Sequence, residues 1–163
     1  LYSFKRFLKS GKKDFPDFKK RLKEYSGRMD LMGIKYAGDV INRIDKSDFF
    51  NTPQIGTWTP DDLSGQEHSF DVTKLVKVPG KYTVTLLYDK GAHAIEIESV
   101  ALYEGEKEIA RDAHSGRSGT DQKNIQYILN VPEARQGASY TVKARFKGAG
   151  GSDSYGTVYC EAP

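Results

Sequence analysis

The residues best equipped for chemistry in this sequence are flat rings and planar polar groups: Trp58 and Tyr155, with Asp112, His114, Arg117 and Asn124. A pyranose has an apolar C–H face and a hydroxyl rim. An exposed aromatic ring beside a few planar polar side chains is therefore the combination that holds a sugar. Tyr88, Tyr103 and Tyr159 are further aromatic candidates. Trp58 has two readings, a sugar platform or a core tryptophan near the first strand. Tyr82, Tyr127 and Tyr140 fall in phase with apolar neighbours and belong to the core. The stretch from Asp112 to Gly119 also offers carboxylate and backbone oxygens that suit calcium. No ligand-count pattern supports that ion, and no cofactor or metal is expected.

Other reactive arrangements are missing from the sequence. No G-x-S-x-G elbow accompanies its serines. His68, His93 and His114 are 25 and 21 residues apart, which is not the rhythm of a zinc site. Cys160 stands alone and reads as buried filler on the last strand rather than as a reactive thiol. The adjacent pair Asp61-Asp62 falls in a stretch that reads as a connection.

The elements that must position these residues are strands. His68, Phe70 and Val72 alternate, as do Tyr82, Val84, Leu86 and Tyr88 after Pro79-Gly80. Asp89-Lys90-Gly91 turns the chain into Ile95, Ile97, Val100 and Leu102, whose phase slips near Ser99 and predicts a bulge there. Glu104-Gly105 turns into residues 108–112. Two further alternating runs are Ile125 to Val131 and Tyr140 to Phe146, and a glycine-rich turn at 148–151 leads into Tyr155 to Cys160. With the short segment Ile55 to Thr59, about eight strands result, and residues 113–123 form the longest loop. One apolar face per strand predicts a mainly β fold, two antiparallel sheets packed as a sandwich or jelly roll. Loops at the ends of such sandwiches commonly carry binding.

The first 50 residues have a different texture. They hold 13 basic and 7 acidic residues, whereas the remainder holds 12 basic and 15 acidic. Phe15, Phe18, Leu22, Tyr25, Met29 and Met32 are spaced 3, 4, 3, 4, 3 and predict one amphipathic helix, with Asp14 as N-cap and Gly33 at its end. Its apolar stripe needs cover, from the sandwich or from a second copy in a homodimer. Its basic face lacks a nucleic-acid motif or interleaved aromatics, so no nucleic-acid partner is expected. The organisation expected is 1–43 helical appendage, 44–53 linker and 54–163 β-sandwich.

The whole chain has 163 residues, net charge +3, 37% hydrophobic and 12% aromatic residues, and one cysteine. That balance argues against a charge-driven partner, and a single cysteine allows no internal disulfide framework. No apolar run reaches the roughly 18 residues of a spanning helix, so no membrane anchor is expected within these residues. Leu1 in place of methionine, with no secretory h-region behind it, reads as a piece of a longer polypeptide.

The order of motifs resembles the end of the catalytic barrel and the appended β-sandwich of glycoside hydrolase family 20, the β-N-acetylhexosaminidases and chitobiases. The barrel part is carried by Phe18-Lys-Lys-Arg21-Leu22 and Gly33-Ile34-Lys35-Tyr36. The sandwich part is carried by Gly56-Thr57-Trp58, Asp71-Val72-Thr73, Gly80 to Val84, Asp112 to Gly119 and Gly151 to Gly156. The resemblance implies a galactose-binding-like sandwich with an upstream catalytic barrel as its partner, and a parent that is periplasmic, cell-surface or secreted; the sandwich is then either a structural brace on that barrel, with at most weak glycan binding, or a dedicated carbohydrate-binding module of a hexosaminidase or fucosidase. It also implies that this chain is not itself an enzyme. Family members use an adjacent Asp-Glu pair set in the barrel, and that pair and its scaffold are not in this sequence.

Overall fold

A computed structural model describes residues 51–163. The readings placed on residues 1–50, among them the Phe15 to Met32 stripe, the barrel remnant and the homodimer contact, lie outside the described residues.

Alternation of apolar and polar side chains produces nine strands here, because each can then bury one face and solvate the other. They are β1 Gln54–Trp58, β2 Ser64–Asp71, β3 Gly80–Lys90, β4 Ala94–Glu104, β5 Lys107–Asp112, β6 Gly116–Ser118, β7 Asn124–Val131, β8 Tyr140–Ala149 and β9 Tyr155–Glu161. A single 3-10 turn, Pro60–Asp62, lies between β1 and β2. Asp62 Oδ2 accepts the Thr59 amide at 2.8 Å and the Thr59 hydroxyl at 3.0 Å, which closes that turn. The ninth strand, β6, corrects the sequence reading of 113–123 as one loop. It is three residues long, too short to show a period of two.

The strands make two antiparallel sheets. The first runs β1-β9-β3-β7, and the second runs β2-β8-β4-β5, with β6 also on β4. Along one edge of β4, Ile95 to Ile97 pair with β6 and Val100 to Glu104 pair with β5. The edge of the second sheet is thus split in two, with Ala113 to Ser115 lying between the pieces. The register of β4 on β8 slips between Ile97 and Ser99, the position at which the sequence phase breaks. The Glu104-Gly105 turn works because Gly105 takes φ +57°, which a side chain would resist.

The core lies between the sheets. Tyr82, Val84, Leu86, Tyr127, Leu129, Val158 and Cys160 come from one, and Phe70, Ile97, Val100, Leu102, Val142 and Phe146 from the other. Burial of these rows supplies the drive for sheet packing. Of the four tyrosines in the core cluster, Tyr82, Tyr88 and Tyr140 satisfy their hydroxyls, Tyr88 by donating to the Gly91 carbonyl. Tyr82 donates to the Val78 carbonyl at 2.8 Å, and Tyr140 accepts from the Arg135 amide at 2.6 Å. The Tyr127 hydroxyl is buried with no partner.

Candidate functional site

The structure distributes the sequence candidates over several places. Trp58 ends β1 inside the core, 1% exposed, with its ring tilted against Phe146 at 5.9 Å. Its Nε1–H donates to Ser154 Oγ at 3.2 Å. Gly156 gives the indole its space, since a Cβ there would overlap the ring. No face of Trp58 is open to a sugar, so the platform reading is corrected in favour of the core reading. Tyr88 and Tyr159 are buried as well. Tyr155 opens β9 at 37% exposure, and Lys90 Nζ lies 4.5 Å from its ring centroid. Arg117, on β6, pairs with Glu96 of β4 and approaches Asp121 at 3.9 Å. Asn124 opens β7 opposite Leu87.

Only Asp112 and His114 are brought together among the six. His114 Nδ1 lies 2.5 Å from Asp112 Oδ1, and the His114 amide donates to the same oxygen at 3.2 Å. Asp112 Oδ2 accepts the Ile128 amide at 2.8 Å, which links β5 of one sheet to β7 of the other. Partial burial pushes the Asp112 carboxyl up, but the hydrogen bonds from Ile128 and His114 outweigh it and hold the group below the usual aspartate range. The His114 ring stacks on Tyr127 at 4.3 Å and 19°. Burial, and then the Asp112 charge, push the Tyr127 phenol up. With both Asp112 oxygens engaged by N–H donors, the cluster reads as a clasp on the open side of the sandwich. Among the described residues no group of three or more His, Cys, Asp or Glu side chains is placed to hold a metal ion.

A second clasp sits at the end where the β3–β4 and β8–β9 turns meet. Asp153 accepts the Ala92 and His93 amides, each at 2.9 Å, and His93 Nδ1 at 2.9 Å. The two backbone donors and the ring hold its carboxyl below the usual range.

The arrangement suited to a ligand is the outward side of the second sheet. Backbone register places four rows there. Asp71, Thr141, Tyr103 and Glu108 lie across from one another. Ser69, Lys143, Ala101 and Arg111 form the next row, and Glu67, Arg145 and Ser99 the one after. Lys147, Glu96 and Arg117 follow. Tyr103 is half-buried, and its hydroxyl donates to Glu108 Oε2 at 3.0 Å. Arg111 donates to both Glu108 oxygens, at 2.9 and 2.5 Å, and through Nη1 to Ser99 Oγ at 3.0 Å. The Arg111 guanidinium beside Glu108 holds that carboxyl below the usual range. Lys143 Nζ stands 4.4 Å from the Tyr103 ring centroid and 3.2 Å from Glu67 Oε1. Ala101, although it faces outward, is 2% exposed, so the surrounding long side chains close over it.

This face therefore holds one ring edged by a fork of planar polar groups, on rigid strands rather than on loops. Tyr103 is among the sequence candidates; Lys143, Glu108, Arg111 and Ser99 are not. A signal for part of it was present. Lys143, Arg145 and Lys147 alternate with Val142, Ala144 and Phe146, which marks a solvated strand face. Which strands flank β8 is a matter of topology, and nothing in the spacing gives it.

No protein-family model matches this chain, and no curated protein matches it. Solved structures similar to it include an arabinose-bound GH51 α-L-arabinofuranosidase, at 14% identity and TM-score 0.38, over 64% of this chain and 19% of that one. The chain thus spans about a fifth of that enzyme's length. A carbohydrate-binding module of Cellvibrio mixtus lichenase 5A, in complex with cellotriose, is similar at 13% identity and TM-score 0.31, over 68% of this chain and 99% of that one. A family 16 carbohydrate-binding module is similar at 14% identity and TM-score 0.30, over 64% and 70%. At these identities and scores the likeness does not say what this chain binds.

Proposed function

We propose that this chain is a non-catalytic accessory domain of a glycoside hydrolase acting on N-acetylhexosamine-containing glycans, which braces the enzyme and holds glycan weakly on the outward side of its second sheet. The observation that carries the binding part is the half-exposed Tyr103 ring edged by the Glu108–Arg111–Ser99 network. A pyranose stacks its C–H face on such a ring, and its hydroxyls exchange hydrogen bonds with carboxylate, guanidinium and serine at the rim. Affinity is low for a physical reason. Each polar group is already bonded to another, so a sugar replaces interactions rather than adding them. A dissociation constant of about a millimolar follows from such an exchange. Supporting the non-catalytic part, Asp62 of the adjacent acidic pair is engaged in closing the 3-10 turn. The hexosaminidase parentage is supported by the sequence motifs alone.

Titration of the chain by calorimetry or NMR with N-acetylglucosamine oligomers, galactose and fucose tests the reading. Saturable binding that is lost in Tyr103→Ala, with the Trp58 fluorescence of the folded protein unchanged, is the expected result. Silence across the panel removes glycan binding and leaves a brace.

A further inference from the structure

The same face shows what regulates access to it, an inference that rests on the glycan reading above. Lys143 and Tyr103 are on neighbouring strands, and the residue of β4 directly across from Lys143 is Ala101. A methyl group there leaves room for the lysine stem to run over β4 toward the ring two residues further along. Its ammonium ends 4.4 Å from the ring centroid, and Glu67, on the opposite flank of β8, stands 3.2 Å from it. One face of the Tyr103 ring is thus covered by a residue of the protein itself.

We infer that Lys143 is a self-inhibitory gate that sets which sugars the face accepts: a neutral pyranose must lift the ammonium off Tyr103 before it can stack. The ring–cation contact and the ion pair with Glu67 are both partly exposed, so both are modest and displacement is feasible. Together they reduce the apparent affinity for a neutral sugar by roughly 3- to 30-fold. A gated site binds as if only its open fraction were present, which is a second cause of the low affinity expected here.

The test compares wild type, Lys143→Met, Lys90→Met and Tyr103→Ala against one neutral N-acetylglucosamine oligomer by calorimetry. Lys143→Met keeps the stem and removes the charge, and it is expected to tighten binding by roughly 3- to 30-fold. Lys90→Met removes the matching ammonium from Tyr155 and is expected to leave affinity unchanged. If Lys143→Met binds no tighter, or more weakly, while Tyr103→Ala abolishes binding, the lysine is a sugar contact or a bystander and the gate is wrong. If Lys90→Met tightens binding equally, net charge explains the gain and the gate is again wrong. Wild-type affinity in Tyr103→Ala would instead overturn the glycan reading of this face.

Discussion

Trp58 and Ser154 are 96 positions apart in sequence, yet the indole N–H donates to the serine hydroxyl at 3.2 Å with both residues buried. The bond fixes the end of β1 to the turn that launches β9. It also explains why this ring, the sequence's first candidate for a sugar platform, is structural. A buried indole needs a partner for its one donor, and the partner here belongs to the fold.

Trp58→Ala is therefore expected to destabilise the protein by about 3–5 kcal/mol, as large core truncations do. Trp58→Phe retains much of the volume but leaves Ser154 without its donor, at a cost of about 1–3 kcal/mol. Urea denaturation followed by circular dichroism gives both values. A change below about half a kilocalorie in the alanine variant would contradict the packing described.

Tyr127 presents the opposite case. Its hydroxyl is buried with nothing to bond, beneath the His114 ring. Tyr127→Phe removes that polar group and is expected to leave stability unchanged or raise it by about 1 kcal/mol. The thermal midpoint reads the sign, and a clear fall would show that the hydroxyl has a partner after all.

Acid should loosen both clasps. Asp153 is held below its ordinary value by the amides of Ala92 and His93. Asp112 is held below it by Ile128 and His114 despite the upward push of burial. A carboxyl whose folded value lies under its unfolded 3.8 contributes stability above 3.8, and that contribution fades as pH falls through the lower folded value. The thermal midpoint is expected to drop below about pH 4. The Asp112→Asn, Asp153→Asn double variant should start lower and lose less on acidification. An identical acid slope in the two proteins would refute the assignment.

Burial pushes the Cys160 thiol up to about 11. At pH 8 the native protein is expected to leave a thiol-reactive chromogenic disulfide intact, and the denatured protein to release one equivalent. Rapid labelling of the native state would show that β9 opens.

Much of this fold was legible because alternation is a local property. Tyr82, Tyr127 and Tyr140 fell in the core by phase, and the slip near Ser99 marked the bulge correctly. The signal failed where segments were short or polar. Gly116 to Ser118 form a strand only because β4 offers an edge. The start of β2, Ser64 to Glu67, lacks apolar residues to announce it. Asp112 and His114 were found together because they are two residues apart. The Tyr103–Lys143 contact joins positions 40 apart, and only the strand order creates it.

The split along β4 has a consequence for solubility. An unbroken rim of unpaired amides and carbonyls invites another polypeptide to zip on, and repeated zipping builds fibres. Here the rim consists of runs of six and three residues, interrupted at Ala113 to Ser115. Short, interrupted runs of this kind offer an incoming strand few consecutive backbone partners, so self-assembly through this rim is disfavoured.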